Sequence, residues 1–386
     1  MCFNSENFLI KEMGGSYVLW VAETHRYLRL EEPVYWLIQQ FMDNKNEKEI
    51  IRLCQYKYGI IEKQSINFIS SVKAYLNSHI LSEKTLVIKK VLSEKAKSKT
   101  FVASQNKRYS IYGETFLFRF ENKYLEYLFH PILSHLETVE QKQEEELFEL
   151  YSYYGKLVFR QNSTLIGIWN KNESHLLKGQ VFLKLFNTVF QKKENDWLAL
   201  IHASAVCDGK NTIVFPAESG VGKSTLAALL NAHGLSFVSD DLLPVGFKDK
   251  KSYPFPAAIS VKHGAVEALS NYFPDVIHKK EFQYPKQGKT VRYIPPLVYR
   301  NNPAICPVKA IVFVNYTPVV DLRLEKIDVI DAVSDLLDKI WLPRGIVFAR
   351  SLLEWLDELP CYRMNYSDNN VAVRTIKKLF KDDIIG

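Results

Sequence analysis

The sequence is poor in cysteine, and the few cysteines that it has exclude two kinds of site. Five cysteines are spread over 386 residues, and no two of them stand in C-x-x-C spacing. An odd and scattered set supports neither a zinc site nor a disulfide framework. We therefore expect reduced thiols, as in the cytoplasm.

The sequence also lacks long apolar runs. Its first residues, MCFNSENFLIKEMGG, do not combine a basic region with an apolar core, so they do not have the pattern of a secretory signal peptide. No run approaches the roughly 20 apolar residues that a membrane-spanning helix needs. These absences predict a cytoplasmic protein with no membrane partner.

Neither sign of charge dominates the chain. Lys and Arg number 50 and Asp and Glu 43, which leaves a net charge of +7. This mild excess suits a protein that meets anions, but it does not choose between a nucleotide, an acidic peptide and a nucleic acid. At this length, with 47% hydrophobic residues, the chain has room for two or three domains.

The most informative stretch contains the core of a phosphate-binding P-loop. The pattern is G-x-x-x-x-G-K-[ST], with Ala217 in place of its first glycine. Residues 212–215 predict a strand before the loop, and residues 226–230 predict a helix after it. The glycines allow backbone N–H groups to surround phosphate oxygens, and the helix N-terminus adds positive dipole. The predicted nucleotide-binding residues are Ser219, Gly220, Val221, Gly222, Lys223, Ser224 and Thr225.

A carboxylate pair follows the next predicted strand. Residues 235–239 form this strand, and Asp240 and Asp241 come directly after it. A pair at this position can bind Mg²⁺ and accept the proton of an attacking hydroxyl. We expect Lys223 to reach the outer phosphates and Ser224 to bind the Mg²⁺. The order of strand, loop, helix, strand and acids predicts binding of ATP or GTP with Mg²⁺. The alternative is a glycine turn before an ordinary core helix.

His202 is a further candidate, because of its place in the predicted sheet. It lies in an apolar run, residues 198–206, that predicts a hairpin with the strand entering the loop. A lone histidine in such a strand is usually a hydrogen-bonded core residue. The hairpin instead predicts an imidazole near the outermost phosphate.

In order and spacing, His202, the loop at 219–224 and the Asp240-Asp241 pair resemble the HPr kinase/phosphorylase family, which are bacterial serine kinases with a P-loop fold. The resemblance covers about residues 201–245 and is weaker beyond them. It implies that Lys223 contacts phosphate and that His202 lies near the transferred phosphoryl group. It also implies that the pair supplies a general base and a metal ligand.

Within that resemblance we assign Asp240 as the base, and Ser224 and Asp241 as the metal ligands. The chain departs from the family where Ala217-Glu218 replaces the usual Gly-Asp. The family's segments for phosphorolysis and for recognition of HPr have no convincing counterpart, so phosphorylase activity is not predicted. HPr kinases form rings, which leaves a homo-oligomer open.

The first 85 residues predict a separate small domain. Strands are predicted at 17–21 and 27–30, followed by three helices, the second of which ends near Gly59. This part resembles the PqqD family, winged-helix-like domains that bind the leader peptides of ribosomally made, modified peptides. The resemblance implies a leader peptide added to a strand edge, with strand 17–21 and the helix after Gly59 as the candidate surface.

The alternatives to peptide binding for this domain are DNA binding and a role in packing or dimerisation. The predicted helices mix acidic and basic residues, so no one-sided basic face for nucleic acid is present. We therefore expect no nucleic-acid partner. A domain used only for packing or dimerisation stays open.

The sequence thus predicts an α/β protein in three parts. Residues 1–85 are the PqqD-like domain, 86–195 a small mixed β-rich region, and 196–386 a P-loop kinase core of the HPr kinase type. In the middle part, the acidic segment 141–154 is predicted to be an exposed helix or loop. The basic segment 278–293 is predicted to be a loop that closes over ATP, grips an acidic peptide or is merely mobile and exposed.

Two basic residues outside the motifs are also candidates. Arg292 is the first residue to test in the basic segment. Lys262, on a predicted short strand, either neutralises phosphate charge or is an ordinary surface lysine.

These patterns together predict an ATP- and Mg²⁺-dependent kinase. Its expected acceptor is a serine hydroxyl of a ribosomally made precursor peptide, recruited by the N-terminal domain. A branch of the HPr kinase-like family phosphorylates a serine on lasso-peptide precursors. One alternative is a regulatory kinase of an HPr-like carrier protein. Another is a non-catalytic, nucleotide-sensing binding module.

Overall fold

The computed structural model describes residues 8–80, 100–216, 220–284, 288–298, 303–337, 339–341 and 343–382. Its strands are β1 (Phe8–Met13), β2 (Ser16–Val21), β3 (Arg26–Leu30), β4 (Gln105–Ile111), β5 (Glu114–Phe120), β6 (Glu146–Tyr153), β7 (Lys156–Gln161), β8 (Thr164–Trp169), β9 (Trp197–Ile201), β10 (Ala203–Cys207), β11 (Thr212–Pro216), β12 (Ser236–Ser239), β13 (Leu243–Gly246), β14 (Lys251–Ser252), β15 (Ile259–Lys262), β16 (Phe282–Tyr284), β17 (Lys289–Ile294), β18 (Cys306–Tyr316), β19 (Arg323–Lys326), β20 (Ile340–Trp341) and β21 (Cys361–Tyr366).

The helices are α1 (Glu32–Met42), α2 (Glu47–Tyr58), α3 (Glu62–Ile80), α4 (Lys123–Leu133), α5 (Ser174–Val189), α6 (Lys223–Ala232), α7 (Val266–Ser270), α8 (Val329–Leu337), α9 (Ile346–Glu358) and α10 (Asn369–Phe380). The protein is therefore a mixed α/β protein with several sheets, as predicted. None of the helices within the described residues is long and apolar enough to cross a membrane.

The chain divides into two compact units, and the first joins the described part of residues 1–84 to residues 326–361. Its antiparallel sheet has the order β1-β2-β3. One face of this sheet packs on α1, α2 and α3 through a core that includes Leu19, Leu28, Leu37 and Ile50. A capping box at Asn46 begins α2, because the Asn46 side chain accepts a hydrogen bond from Glu49 N and the Glu49 side chain accepts one from Asn46 N.

The other face of the same sheet is turned toward α8 and α9. Lys11 on β1 pairs with Asp357 on α9 at 2.9 Å, and Arg29 on β3 pairs with Asp331 on α8 at 2.9 Å. Both basic residues share the face of Val18, their neighbour in register on β2. The sequence assigned these two helices to the part at 196–386, whereas in the structure they pack with the N-terminal strands.

The predicted elements of the N-terminal part are confirmed, but the predicted docking edge is wrong. Both strands and all three helices form, and α2 ends at Gly59 in the left-handed region, with φ 63°. The strand proposed as the leader-binding edge is β2, and β2 pairs with β1 on one side and β3 on the other. A strand paired on both sides has no free edge to which a peptide strand can be added.

The second unit contains the described part of residues 85–325 and 362–386, and its first sheet has the order β4-β5-β6-β7-β8. The prediction for segment 141–154 is wrong, because residues 146–153 form β6, a central strand of this sheet. Glu149 is buried there, and its carboxylate pairs with Arg119 at 3.1 Å and with Arg160 at 2.9 Å. The two guanidinium groups compensate a buried charge that a sequence pattern assigns to solvent.

The larger sheet of this unit has the order β12-β10-β11-β18-β14-β13-β9, and β21 also pairs with β18. Helix α6 and helix α10 contribute to the core on this sheet, which includes Phe215, Leu226, Val312 and Ile376. The predicted strands on both sides of the loop and the helix after it are confirmed. The predicted hairpin is confirmed too, since β10 and β11 are antiparallel.

A third sheet of the same unit has the order β15-β17-β16. Strands β16 and β17 form an antiparallel pair, so part of the segment predicted to be a loop at 278–293 is sheet. Apolar residues of one face, including Ile259, Val261 and Ile294, belong to the core under α6. The opposite face carries the polar side chains of β15.

Candidate functional site

The candidate site lies at one edge of the larger sheet, where four chain segments meet. Strand β11 runs parallel to β18, and β12 has the same direction because both β11 and β12 are antiparallel to β10. The ends of β11, β12 and β18 and the start of β10 therefore lie at the same edge. This topology brings together the segment before α6, the Asp240-Asp241 pair and His202, as the sequence predicts.

The segment between β11 and α6 contains two glycines whose conformation other residues rarely adopt. We call residues 220–222 the glycine loop. Gly220 has φ 112° and Gly222 has φ 101°, both in the region that favours glycine. A Cβ atom on Gly222 would lie 2.9 Å from Tyr366 Oη and 3.1 Å from Tyr316 Cβ. Tyr316 N also donates to Val221 O at 2.9 Å, which fixes the loop to the end of β18.

Lys223 is the first residue of α6 and is buried, with 7% of its surface exposed. Its ammonium group donates to the backbone carbonyl of Asp240 at 3.3 Å. A buried cation hydrogen-bonded to a neutral carbonyl is suited to an anionic ligand, because the charge otherwise lacks compensation. Ser224 and Thr225, at the same helix N-terminus, are half-buried. Ser219 lies outside the described residues, so its predicted phosphate contact stays a prediction.

Asp240 is held rigidly and is 3% exposed. Its Oδ1 accepts a hydrogen bond from Ser204 Oγ at 2.8 Å. Its Oδ2 accepts two hydrogen bonds from Ser260, from the backbone N–H at 2.8 Å and from Oγ at 3.0 Å. These donors satisfy both oxygens of the buried carboxylate. Asp240 therefore joins β10, β12 and β15 at the site.

Asp241 is in a different environment from its neighbour. Its side chain is 70% exposed, and Oδ1 lies 3.2 Å from His202 Nδ1. The His202 side chain is 44% exposed and stands at the break between β9 and β10. The two predicted carboxylates thus differ in access, since one is enclosed by donors and the other faces solvent beside an imidazole.

Two further lysines approach the site from other elements. Lys262 lies at the end of β15, and a Cβ atom on Gly220 would be 3.4 Å from its Nζ. This position places a second ammonium group beside the glycine loop. Lys178, on α5, is within electrostatic range of Asp241. Burial lowers the pKa of Lys178, and the Asp241 carboxylate opposes that shift.

Arg292 does not reach this group of residues. Its guanidinium pairs with Glu281 at 2.9 Å and donates through Nε to the carbonyl of Lys279 at 3.2 Å. In register it faces Val261, on the core side of β15, whereas the next residue, Tyr293, faces Ser260. Arg292 therefore stabilises the turn before β16.

Sequence reasoning missed two residues near the site, Ser204 and Lys178, and it named Ser260 only within a strand, residues 259–262, predicted to wall the substrate or phosphate site. Ser204 did carry a signal, because it is a lone hydroxyl in the all-buried strand β10 and a buried hydroxyl needs a partner. Lys178 carried none, and the hydrogen bonds of Ser260 to Asp240 depend on which strand lies beside that carboxylate.

The residues present fit a nucleoside triphosphate with Mg²⁺. The glycine loop and the start of α6 offer backbone donors, and Lys223 and Lys262 offer positive charge. Among the described residues, no group of three or more His, Cys, Asp or Glu side chains is arranged to hold a metal by itself. Magnesium bound with a nucleotide uses one or two protein ligands together with phosphate oxygens and water, which Ser224 and one aspartate can supply.

No family model matches this chain, and no curated protein matches it.

Proposed function

We propose that the protein is an ATP- and Mg²⁺-dependent phosphotransferase that acts on a peptide hydroxyl, with serine as the expected acceptor. The observation that carries the proposal is that two carboxylates, one buried and one exposed to solvent, lie at the same sheet edge as a helix N-terminus that can bind anions. Binding a nucleotide requires the glycine loop and Lys223 but no exposed carboxylate beside an imidazole. Asp241 and His202 are therefore the features that favour transfer over binding alone.

In this proposal the chain holds the nucleotide through three kinds of group. The N–H groups of the glycine loop and of the first turn of α6 bind phosphate oxygens. Lys223 and Lys262 place positive charge on two sides of them. The Ser224 hydroxyl and Asp240 hold the Mg²⁺. When bound, Mg²⁺·ATP supplies the phosphoryl group and neutralises the charge that develops on its oxygens.

The environments of Asp240 and Asp241 favour the reverse of the sequence-based assignment, with Asp241 as the general base and Asp240 as the metal ligand. A general base must come within hydrogen-bond reach of the acceptor hydroxyl. Asp241 is accessible to a substrate, whereas both carboxylate oxygens of Asp240 already accept hydrogen bonds. We assign Asp241 as the residue that takes the proton of the acceptor hydroxyl. The hydroxyl oxygen forms the new P–O bond while the bond between the transferred phosphoryl group and the departing ADP breaks. His202 holds Asp241 in position.

Recruitment of the substrate peptide by the first unit is part of the proposal. The β1-β2-β3 sheet with α1, α2 and α3 supports it, together with the resemblance to leader-binding domains. Because β2 is paired on both sides, a leader strand has to add to β1 or β3. Among the described residues, each of these two strands pairs only with β2.

The test is transfer of phosphate to precursor peptides encoded beside this gene. The full-length protein is incubated with Mg²⁺·ATP and each peptide, and mass spectrometry locates any added phosphate. Lys223→Ala is expected to lower transfer by roughly 10²–10³-fold, as the loss of a charge-stabilising donor does in other active sites. Lys210→Ala, an exposed lysine in the turn between β10 and β11, is the matched control and should retain full activity.

The Asp241→Asn variant separates the two functional classes. A phosphotransferase should keep its affinity for ATP and lose transfer, because the variant removes the proton acceptor but leaves the phosphate-binding groups. Full transfer by Lys223→Ala, or no transfer to any peptide by the wild type despite ATP binding, would contradict the proposal. Transfer to an HPr-like carrier protein alone would favour the regulatory kinase.

A further inference from the structure

One face of the β15-β17-β16 sheet runs outward from the candidate site. Ser260 pairs in register with Tyr293, and Lys262 with Val291. Phe282 pairs with Val291 from the other side. Cross-strand partners and alternate residues share a face, so Ser260, Lys262, Tyr293, Phe282 and Tyr284 all lie on this one face.

The inner end of this face is part of the phosphate site. Ser260 binds the Asp240 carboxylate through two hydrogen bonds. The ammonium group of Lys262 lies beside Gly220 of the glycine loop. Any group bound on the next part of the face is therefore directly beside the point of phosphoryl transfer.

The outer part of the face is an aromatic cluster, which we call the aromatic platform: Tyr127, Phe282, Tyr284 and Tyr293. The ring centroid of Tyr127 lies 5.5 Å from the centroids of Phe282 and Tyr284. The centroids of Phe282 and Tyr293 are also 5.5 Å apart. Tyr127 reaches the platform from α4, and its hydroxyl donates to the carbonyl of Gln283 at 2.7 Å. All four rings are only partly buried, so the platform has an accessible surface.

Two of the three hydroxyl groups of the platform, those of Tyr284 and Tyr293, are hydrogen-bonded to each other. Tyr284 Oη and Tyr293 Oη lie 2.9 Å apart. One of the two protons makes this hydrogen bond, and the other remains available to a ligand. Burial raises the pKa of both tyrosines, and the Asp241 carboxylate raises both further. Both phenols therefore stay neutral, and the platform is within electrostatic range of the proposed base.

We propose that the aromatic platform binds the residues flanking the acceptor hydroxyl of a peptide substrate. Phe282 and Tyr127 would pack against an aromatic or aliphatic side chain next to the acceptor, and the tyrosine pair would donate to a peptide carbonyl. This inference rests on the proposed transfer to a peptide. A peptide is favoured over the nucleotide base because Tyr293 lies opposite Ser260, which binds Asp240, and is within electrostatic range of Asp241, the proposed base.

The test uses a library of precursor peptides that keep their leader and carry one serine with randomised flanking positions. The full-length protein, Mg²⁺·ATP and the library are incubated, and the phosphorylated peptides are sequenced. The wild type should select aromatic or aliphatic residues beside the serine. Phe282→Ala and Tyr127→Ala should lower kcat/KM for selected peptides by roughly 10- to 100-fold, the value of burying one large apolar side chain. The KM for ATP should not change.

Two further variants make the test specific. Tyr293→Phe removes a hydroxyl but keeps the ring, so it should raise the KM for peptide and retain flank selection. Tyr154→Ala removes an exposed aromatic ring from the turn between β6 and β7. It should change neither the KM for peptide nor the flank selection.

Each remaining outcome counts against the platform in a distinguishable way. Transfer without flank selection, or selection unchanged in Phe282→Ala, overturns the platform and leaves the proposed function intact. A raised KM for ATP with unchanged peptide selection assigns the platform to the nucleotide base and overturns the inference. No transfer to any library peptide, despite ATP binding, overturns the proposed function and the platform together.

Discussion

At the scale of single residues, the site depends on side chains whose environments differ although they are neighbours in sequence. Asp240 and Asp241 are adjacent, yet one is enclosed by three hydrogen bonds and the other is largely exposed. Gly222 is equally specialised, because its conformation and the nearby Tyr366 both exclude a side chain. Tyr366 Oη is buried and has no hydrogen-bond partner among the described residues. These environments suit Asp240 to bind a metal ion and Asp241 to accept a proton, and they require a glycine at position 222.

Gly222→Ala is expected to abolish nucleotide binding. Its φ of 101° would cost an alanine roughly 1–3 kcal/mol, and the added methyl would lie 2.9 Å from Tyr366 Oη. The measurement is the thermal shift produced by Mg²⁺·ATP. Gly234→Ala is the matched control, since Gly234 has φ 93° but nothing within 4 Å of an added Cβ. It should lose some stability and keep the shift, whereas an unchanged shift in Gly222→Ala would refute this prediction.

At the scale of elements, the site depends on how α4 and the turn after it hold the segment that leads into β15. Ala258 N donates to Ile132 O at 2.9 Å, and His135 Nε2 contacts Pro256 O at 2.8 Å. A carbonyl accepts only, so Nε2 carries the proton. Nδ1 is then the unprotonated nitrogen of the neutral ring, and it is buried without a partner among the described residues. Strand β15 follows directly and carries Ser260 and Lys262 into the site.

This arrangement predicts that the folded protein becomes less stable at acidic pH. Burial lowers the pKa of His135, so the unfolded chain, with an ordinary value of about 6.5, binds the proton more readily than the folded protein. The stability that neutral His135 contributes is therefore present above pH 6.5 or so and is lost as the pH falls below it. Urea unfolding midpoints at neutral and mildly acidic pH measure the loss.

His135→Gln should reduce this dependence on pH, because an amide N–H can replace the donor to Pro256 without titrating. His263→Gln is the control, since the His263 side chain is 84% exposed and should leave the dependence unchanged. His130, whose pKa burial also lowers, is expected to account for part of the remaining dependence. Equal loss of stability on acidification in wild type and His135→Gln would show that His135 does not cause it.

At the scale of the whole molecule, the chain builds its first compact unit from two distant segments. Residues 326–361 leave the second unit, form α8 and α9 beside the N-terminal sheet, and return. Buried residues of these helices include Ile330, Leu336, Leu352 and Leu356. The N-terminal part therefore cannot be removed as a simple appendage, because α8 and α9 would lose the sheet on which they pack.

Deletion of residues 1–84 is expected to give a poorly soluble protein, because it exposes these apolar helix faces. Removing residues 327–360 as well, with a short Asn-Gly turn in their place, should restore solubility. Strands β19 and β21 are paired, and Ile327 N donates to Cys361 O at 2.9 Å, so a tight turn can join them. Size-exclusion chromatography and the ATP-induced thermal shift compare the two deletions. A monomeric, folded protein after the first deletion alone would contradict the expectation.

The sequence by itself determined the features that depend on neighbouring residues. The strand, glycine loop, helix, strand and acid order from residue 212 to Asp241 was predictable, because turn chemistry and apolar periodicity are local. The capped helices and short strands of the first 80 residues were predictable for the same reason. The acidic strand β6 was not, since two arginines from other strands compensate Glu149.

Only the tertiary structure decided which residues face the site. It enclosed Asp240 and left Asp241 largely exposed, and it brought Ser260 to Asp240 and Lys262 to the glycine loop. It turned Tyr293 rather than Arg292 to the face of Ser260. It also paired β2 on both sides and joined residues 326–361 to the N-terminal strands. Each outcome depends on strand register and on contacts between distant segments, and a shift of one residue in register would reverse which side chains face the site.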